Sequence, residues 1–287
     1  MKHKTALILE GGAMRGLYSA GVLDVFMKNN INVDVIYGVS AGALFGLNYK
    51  SRQIGRAIRY NLKYAHEKNY MGLYSLITTG NVMNRDFCFN KLVYELDKLD
   101  FETYKNNPVV FYAVVTNLQT GKPEYIKIDD AGKDLEYFRA SGSMPFVSKP
   151  VEIKGNLYLD GAIADAVPFA KALEANYEKI IVVLTRPAGY NRKGKSYLPY
   201  KLFYGKFPNF VETANNSCTK YNETMDLIEK YEAENKIVVL RPSELIKMKR
   251  VEKDTNKLQA IYDLGVSDCM KKLDEIKEYL NIKAESI

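Results

Sequence analysis

The sequence predicts an α/β fold: a three-layer α/β/α sandwich around a mostly parallel central sheet, with a mainly helical C-terminal extension. Three observations carry this. Short apolar, β-branched runs alternate with helical periodicity as far as Pro187. Two of those runs lead directly into glycine-containing turns that open helices. Beyond Pro187 helical periodicity dominates.

Residues 5–9 form an apolar run closed by Glu10-Gly11-Gly12 and read as a buried strand. Residues 17–28 read as a helix stopped by Asn29-Asn30. Residues 33–39 are a second strand, and 41–49 a small-residue helix directly after it. Ile54, Ile58, Leu62 and Ala65 share one face of a further helix, as do Phe89, Leu92, Val93 and Leu96 of another. Residues 109–116 form a strand paired with 124–128, and Lys154-Gly155-Asn156 turns between strands 151–153 and 157–159. Pro168 opens a helix reaching Asn176, and 179–185 is another buried strand. Such alternation implies a parallel sheet covered on both faces. Residues 190–210 are basic, aromatic and turn-rich; a helix over 211–234, a strand over 236–240 and helices through Leu280 follow. The expected organisation is a core over residues 1–187 with a mainly helical region, 188–287, packed on it.

With 287 residues, 47% hydrophobic and 26% charged, the chain has a globular composition and the length to bury a three-layer core. The net charge of +7 attracts anionic partners, phospholipid headgroups or nucleic acid, or belongs to a merely soluble basic protein. Cys88, Cys218 and Cys269 are widely spaced and form no C-x-x-C, which argues against a zinc site or a disulfide framework and for free thiols in a reducing compartment. The apolar run at 5–9 is too short for a signal peptide, and the longest, 109–115, is far below membrane-spanning length. The expected location is cytoplasmic, with any membrane contact made from outside.

Gly38-Val39-Ser40-Ala41-Gly42 matches G-x-S-x-G. Alone the match is weak, but an apolar strand enters it and a small-residue helix leaves it, the setting of a nucleophile elbow. The competing reading is a plain strand–helix turn with a capping serine. A histidine base is hard to find: His3 lies in the N-terminal tail, His66 reads as a surface helix residue, and none follows. The serine–acid–histidine order of α/β-hydrolases is therefore excluded.

Gly11-Gly12-Ala13-Met14-Arg15-Gly16 joins the first strand to the first helix. Such a turn clusters N–H donors for a phosphate or for an oxyanion formed during reaction. A dinucleotide fits poorly: Ala13 replaces the middle glycine, and Asp34 begins the second strand where the ribose-binding acid belongs at its end. Asp160-Gly161-Ala162 follows the strand ending at Leu159; taken alone, Asp160 reads as a turn residue. Asp165 is expected to cap the helix opened by Pro168.

These three motifs, in this order, resemble the patatin-like phospholipase family over about residues 5–186, with a proline-bearing segment at 145–150 before the aspartate. The resemblance implies a lipid acyl hydrolase cleaving carboxylic ester bonds through a Ser–Asp dyad and an acyl-enzyme. Position by position, Ser40 would be the nucleophile and Asp160 the base. The amides of Gly11, Gly12 and Ala13 would form the oxyanion hole, with Arg15 and Gly16 supporting the loop. Gly38 and Gly42 would shape the elbow, and Gly161 and Ala162 complete the aspartate motif. The family usually has glycine where Ala13 stands, so a positive φ there would strain the alanine. The alternatives are an acyltransferase using the same serine, or a non-catalytic lipid- or nucleotide-binding protein.

No cofactor and no metal is expected. The expected partners are a phospholipid or other acyl ester and an anionic membrane surface, not nucleic acid. The stretch containing Arg192, Lys193, Lys195, Tyr197, Tyr200, Lys201, Phe203, Tyr204, Lys206, Phe207 and Phe210 suits an interfacial surface, superficially also single-stranded nucleic acid, and, equally with the first, a crossing segment with its rings in the core. Residues 69–83 carry Tyr70, Met71, Leu73, Tyr74, Leu76 and Ile77, read as core packing or as a lid over an acyl pocket.

Overall fold

The computed structural model describes residues 4–194 and 197–282; His3, Lys195 and the Tyr197 side chain lie outside the described residues. In chain order the elements are β1 (Thr5–Leu9), α1 (Leu17–Lys28), β2 (Val35–Val39), α2 (Ala41–Lys50), α3 (Arg56–Lys63), α4 (Leu73–Thr79), α5 (Phe101–Asn106), β3 (Val110–Asn117), β4 (Pro123–Lys127) and α6 (Ala131–Ser141). There follow β5 (Val151–Ile153), β6 (Asn156–Asp160), α7 (Phe169–Glu174), β7 (Lys179–Val183), α8 (Tyr197–Tyr204), α9 (Pro208–Ala233), β8 (Val238–Leu240), α10 (Thr255–Lys271) and α11 (Leu273–Tyr279).

The strands form one sheet in the order β5-β6-β3-β2-β1-β7-β8, with β4 also on β3. β3, β2, β1, β7 and β8 run parallel, β4 and β6 pair antiparallel with β3, and β5 pairs antiparallel with β6. Period-two alternation divides the core between the faces. Leu7 and Leu9 of β1 point into a cluster built with α1, α2, α6 and α10, while Ile8 joins a second cluster beneath α7 and α9. A third cluster packs α8 and the start of α9 on Leu118 and Leu159. The α/β/α layering and mostly parallel sheet are as the sequence predicts.

α1 and α10 lie nearly backbone to backbone: a Cβ on Gly21 would stand 2.3 Å from the Tyr262 carbonyl oxygen, and one on Gly265 2.1 Å from that of Tyr18. The pair is pinned by the Tyr262 hydroxyl donating to Asp24 (2.6 Å) and, loosely, by that of Tyr18 donating to Asp268 (3.4 Å).

Two expected helices differ. α3 starts at Arg56 after Gly55 in the left-handed region, so Ile54 precedes it and is exposed. The segment Phe87–Leu96 is π-helical. With hydrogen bonds reaching five residues instead of four, a seven-residue step no longer closes two turns, and Leu96 leaves the face of Phe89. α5 and α6 have no counterpart in the sequence reading. Each begins at an aspartate, Asp100 or Asp130, whose side chain accepts a backbone N–H of the first turn. Cys88, Cys218 and Cys269 are buried and unpaired, and burial pushes the Cys269 thiol up to about 12. No helix among the described residues is long and apolar enough to cross a membrane.

Candidate active site

Sheet register explains how two distant motifs meet. Val39 of β2 stands opposite Val114 of β3, and Asp160 of β6 stands opposite Val115. Ser40, one residue past Val39, and Asp160 therefore flank β3 on the same rung. The Ser40 hydroxyl donates to Asp160 Oδ2 at 2.8 Å, and both side chains are buried.

Ser40 occupies a strained turn, with φ 53° and ψ −120°, between β2 and α2. Gly42 makes the turn sterically feasible: a Cβ there would lie 2.3 Å from the Leu9 carbonyl oxygen. Gly38 lies directly against Ala43, and Gly11 against the Ser40 side chain. The elbow is held from outside by Ser141 at the end of α6. Its hydroxyl accepts the Ser40 N–H (2.8 Å) and donates to the Val114 carbonyl (2.7 Å). Sequence reading missed Ser141, because its helix carries no motif.

Asp160 is held by its neighbours as well. Oδ1 accepts the Ala162 N–H at 2.9 Å, its N–H donates to the Ser143 carbonyl, and its carbonyl accepts the Thr116 hydroxyl at 2.8 Å. Gly161 lies tight against β3 at Val114. Burial pushes the Asp160 carboxyl up to about 6; the Ala162 amide, the Ser40 hydroxyl and the charges of Arg192 and Arg250 oppose this without cancelling it.

The loop 11–16 lies beside the pair. Among the described residues, the N–H groups of Gly11, Gly12 and Ala13 have no protein acceptor. Ala13 has φ 49°, so the alanine does carry a left-handed backbone. The Arg15 N–H closes the turn onto the Gly12 carbonyl, while its side chain lines the polar pocket, Nε is buried without a partner, and burial lowers its pKa to about 10. Gly16 lies against Ala41 and Phe45 of α2. Glu10, read from the sequence only as the close of the first strand, accepts the Thr185 N–H at 2.6 Å and lies 3.5 Å from Arg192, tying β1 to the segment after β7.

Two pockets meet at Ser40. One is apolar, between α2 and the π-helical segment, with Leu44, Phe45, Phe89 and Phe138 in its wall. The other is polar, with the glycine loop, Asp160 and several arginines. The segment 69–83 contributes on both counts: Tyr70, Met71, Val82 and Met83 line the apolar pocket, while Leu73, Tyr74 and Ile77 of α4 face outward. The basic aromatic stretch divides likewise. Tyr200, Tyr204 and Phe210 are buried, and Leu198, Leu202 and Phe203 are exposed.

Other singled-out residues lie elsewhere. His66 is exposed in the turn after α3. Asp34 accepts the N–H groups of Lys4 and Thr5 at the far end of the sheet, which leaves it a structural role. Asp165 does not cap α7, whose N-cap is Pro168 without a side-chain bond; it accepts the Tyr125 hydroxyl at 2.7 Å, and burial raises it to about 6. The reason is spacing: three residues separate Asp165 from the first helical turn, beyond a cap's reach.

Fold and site together define an α/β protein with a serine elbow set against an aspartate and a glycine loop. The family model described as "Patatin-like phospholipase" matches residues 7–173, and the chain belongs to that family. A second, "Domain of unknown function (DUF6363)", matches residues 207–281. The chain is 28% identical to "Uncharacterized protein YjjU" of Escherichia coli, over 64% of this chain and 53% of that protein. It is 28% identical to "Lysophospholipase nte1" of Aspergillus terreus, over 61% of this chain and 11% of that protein. With "Lysophospholipase NTE1" of Cryptococcus neoformans it shares 26% identity, over 79% of this chain and 14% of the relative. The match thus spans about half of the first relative and a small part of the fungal ones. VipD of Legionella pneumophila aligns with a TM-score of 0.47 at 14% identity, covering 96% of this chain and 67% of that one.

Proposed function

We propose that the protein is a serine lipid acyl hydrolase cleaving carboxylic ester bonds of phospholipids or related lipids, with Ser40 as nucleophile and Asp160 as base. The observation that carries the reading is the 2.8 Å bond from the Ser40 hydroxyl to Asp160 at the junction of an apolar and a polar pocket. Ionised Asp160 takes the hydroxyl proton as Oγ attacks the ester carbonyl. The amides of Gly11, Gly12 and Ala13 receive the oxyanion. Collapse expels the alcohol, which leaves with the proton from Asp160. Water then attacks the acyl-serine, losing its proton to Asp160, and the fatty acid departs as Ser40 recovers its proton. A carboxyl of pKa about 6 is ionised at neutral pH yet more basic than an ordinary aspartate, which suits this role. The lysophospholipase names of the fungal relatives favour a lipid ester.

The test is turnover of a short-chain nitrophenyl ester and of a lysophospholipid panel. Ser40→Ala and Asp160→Asn are each expected to lower kcat/KM by about 10⁴ or more, and Ser40→Ala to abolish fluorophosphonate labelling. Full turnover in both variants would sink the assignment.

We further read the protein as cytoplasmic and in contact with anionic membrane surfaces. Leu73 and Ile77 of α4 and Leu198, Leu202 and Phe203 of α8 are 68–77% exposed. The loop 144–150 links the two helices: the Phe146 N–H donates to the Tyr204 hydroxyl and the Lys149 N–H to Asn81. Exposed Lys149, Lys201 and Lys206 accompany these side chains, the mixture of apolar and cationic groups that suits an anionic interface.

A further inference from the structure

The apolar and polar pockets share four residues, Ala13, Ser40, Met144 and Arg250, so a substrate bound at Ser40 has one half in each. The apolar half takes the acyl chain. The alcohol half must then occupy the polar pocket, whose walls are strongly cationic. Arg15, Arg186, Arg192, Lys193 and Arg250 line it, with Asp160 the one carboxylate among its described lining residues. Glu10, buried behind it, partners Arg192 at 3.5 Å. Five cations thus face two carboxylates, and Arg186 and Arg250 have no ion-pair partner among the described residues.

The guanidiniums are held by rings as well as by charge. Arg192 lies 3.6 Å from the centroid of Tyr221, and Arg186 4.2 Å from that of Tyr190. A stacked guanidinium keeps its N–H edge free and its orientation fixed, the arrangement that takes two oxygens of one tetrahedral anion. The Arg192 backbone is fixed too, by a reciprocal pair of hydrogen bonds with the Asn222 side chain.

We propose that this pocket is the subsite for the phosphate of a phosphate-bearing headgroup, with Arg186, Arg192 and Arg250 as its binding residues, so that the preferred substrate is an anionic phospholipid or lysophospholipid over a neutral acylglycerol. The proposal rests on the hydrolase reading for the placement of the two halves of the substrate. Its test is binding, which needs no turnover.

The probes are an octyl-ether lysophosphatidate, the neutral octyl-ether glycerol and inorganic phosphate, titrated below micellar concentration into Ser40→Ala protein. The phosphate-bearing ether is expected to bind roughly 10- to 100-fold more tightly than the neutral one, and that preference is expected to shrink with salt. Arg250→Gln, a change at an exposed side chain with little risk to folding, and Arg186→Gln should each reduce the preference, and together remove most of it. Lys28→Gln with Lys277→Gln, at the far end of the sheet, should leave it intact. Equal binding of the two ethers, or a preference that survives both arginine substitutions, overturns the proposal. So does inorganic phosphate binding as tightly as the ether lipid, which would assign the pocket to a free anion. Wild-type protein without esterase activity but with the arginine-dependent preference would refute the hydrolase reading while leaving the phosphate subsite standing.

Discussion

Asp160 combines a buried carboxylate with a serine hydroxyl, an amide and two guanidiniums, and burial outweighs all of them, raising its pKa to about 6. In the proposed role of base it must be ionised, so kcat/KM for a nitrophenyl ester is expected to rise with pH, level off above about 6, and stay level toward pH 8. Removing the opposing charge in Arg250→Gln should move that inflection to higher pH. A profile without an inflection between pH 5 and about 7 would remove Asp160 from the role of base. The same shift has a sign for stability. The native state keeps its proton through the window from 3.8 to about 6, where the unfolded chain has lost it, so stability contributed by this group falls as pH rises through that window. Above it the buried charge costs at most about 3 kcal/mol. Asp160→Asn is therefore expected to raise Tm at pH 8, by roughly 2–4 °C for each kcal/mol recovered, and to lose the gain below pH 4. Thermal unfolding at both pH values checks this; a lower Tm at pH 8 would mean that the hydrogen bonds to the carboxylate outweigh its desolvation. Ala13 shows the limit of reading single residues: the sequence raised the question of a positive φ, and only the backbone, at 49°, answers it.

At the scale of elements, the strands and the elbow were legible because their signals are local. Apolar runs end at glycines, and β1, α1, β2 and α2 fall within two residues of their expected bounds. The partner holding the elbow was not legible. Ser141 sits 101 residues from Ser40, in a helix whose apolar face, Leu135 and Phe138, packs on the sheet without advertising a function. Removing its hydroxyl leaves the buried Ser40 N–H and the Val114 carbonyl without this partner. Ser141→Ala is expected to cost about 1–3 kcal/mol and to lower kcat more than it raises KM, because a loosened elbow misplaces the Ser40 hydroxyl, the proposed nucleophile. Calorimetry with steady-state kinetics separates the two effects, and an unchanged kcat would show that Gly42 and the glycine loop hold the turn alone. Amphipathicity hid half of α8 in the same way. Its rings were legible as aromatic, but which faced inward depended on Leu118 and Phe210, one before and one after it in the chain. If the outward face meets lipid, replacing Leu198, Leu202 and Phe203 by serine should reduce flotation with anionic vesicles several-fold without lowering Tm; undiminished flotation would assign membrane contact to another surface.

At the scale of the whole molecule, the region after Pro187 supplies parts that the first region's own surfaces require. β8 covers the edge of β7, pairing Val238–Leu240 with Ile181–Val183. α10 covers α1 through the Gly21–Gly265 approach, and α9 covers Ile8, Ile180 and Val182 with Tyr221 and Ile228. A chain ending at Pro187 would expose a parallel edge strand, an apolar sheet face and the buried face of α1 together. It would also lose Arg192 and Arg250 from the pocket beside Ser40. Exposed apolar area of that kind drives association, and an uncovered edge templates it. Such a truncated chain is therefore expected to aggregate or to remain compact without fixed side-chain packing, even though it holds Ser40, Asp160 and the glycine loop. Dispersed amide resonances and fluorophosphonate labelling in a soluble 1–187 chain would show instead that the motif-bearing part folds alone, leaving the C-terminal region to act on substrate choice and not on the fold.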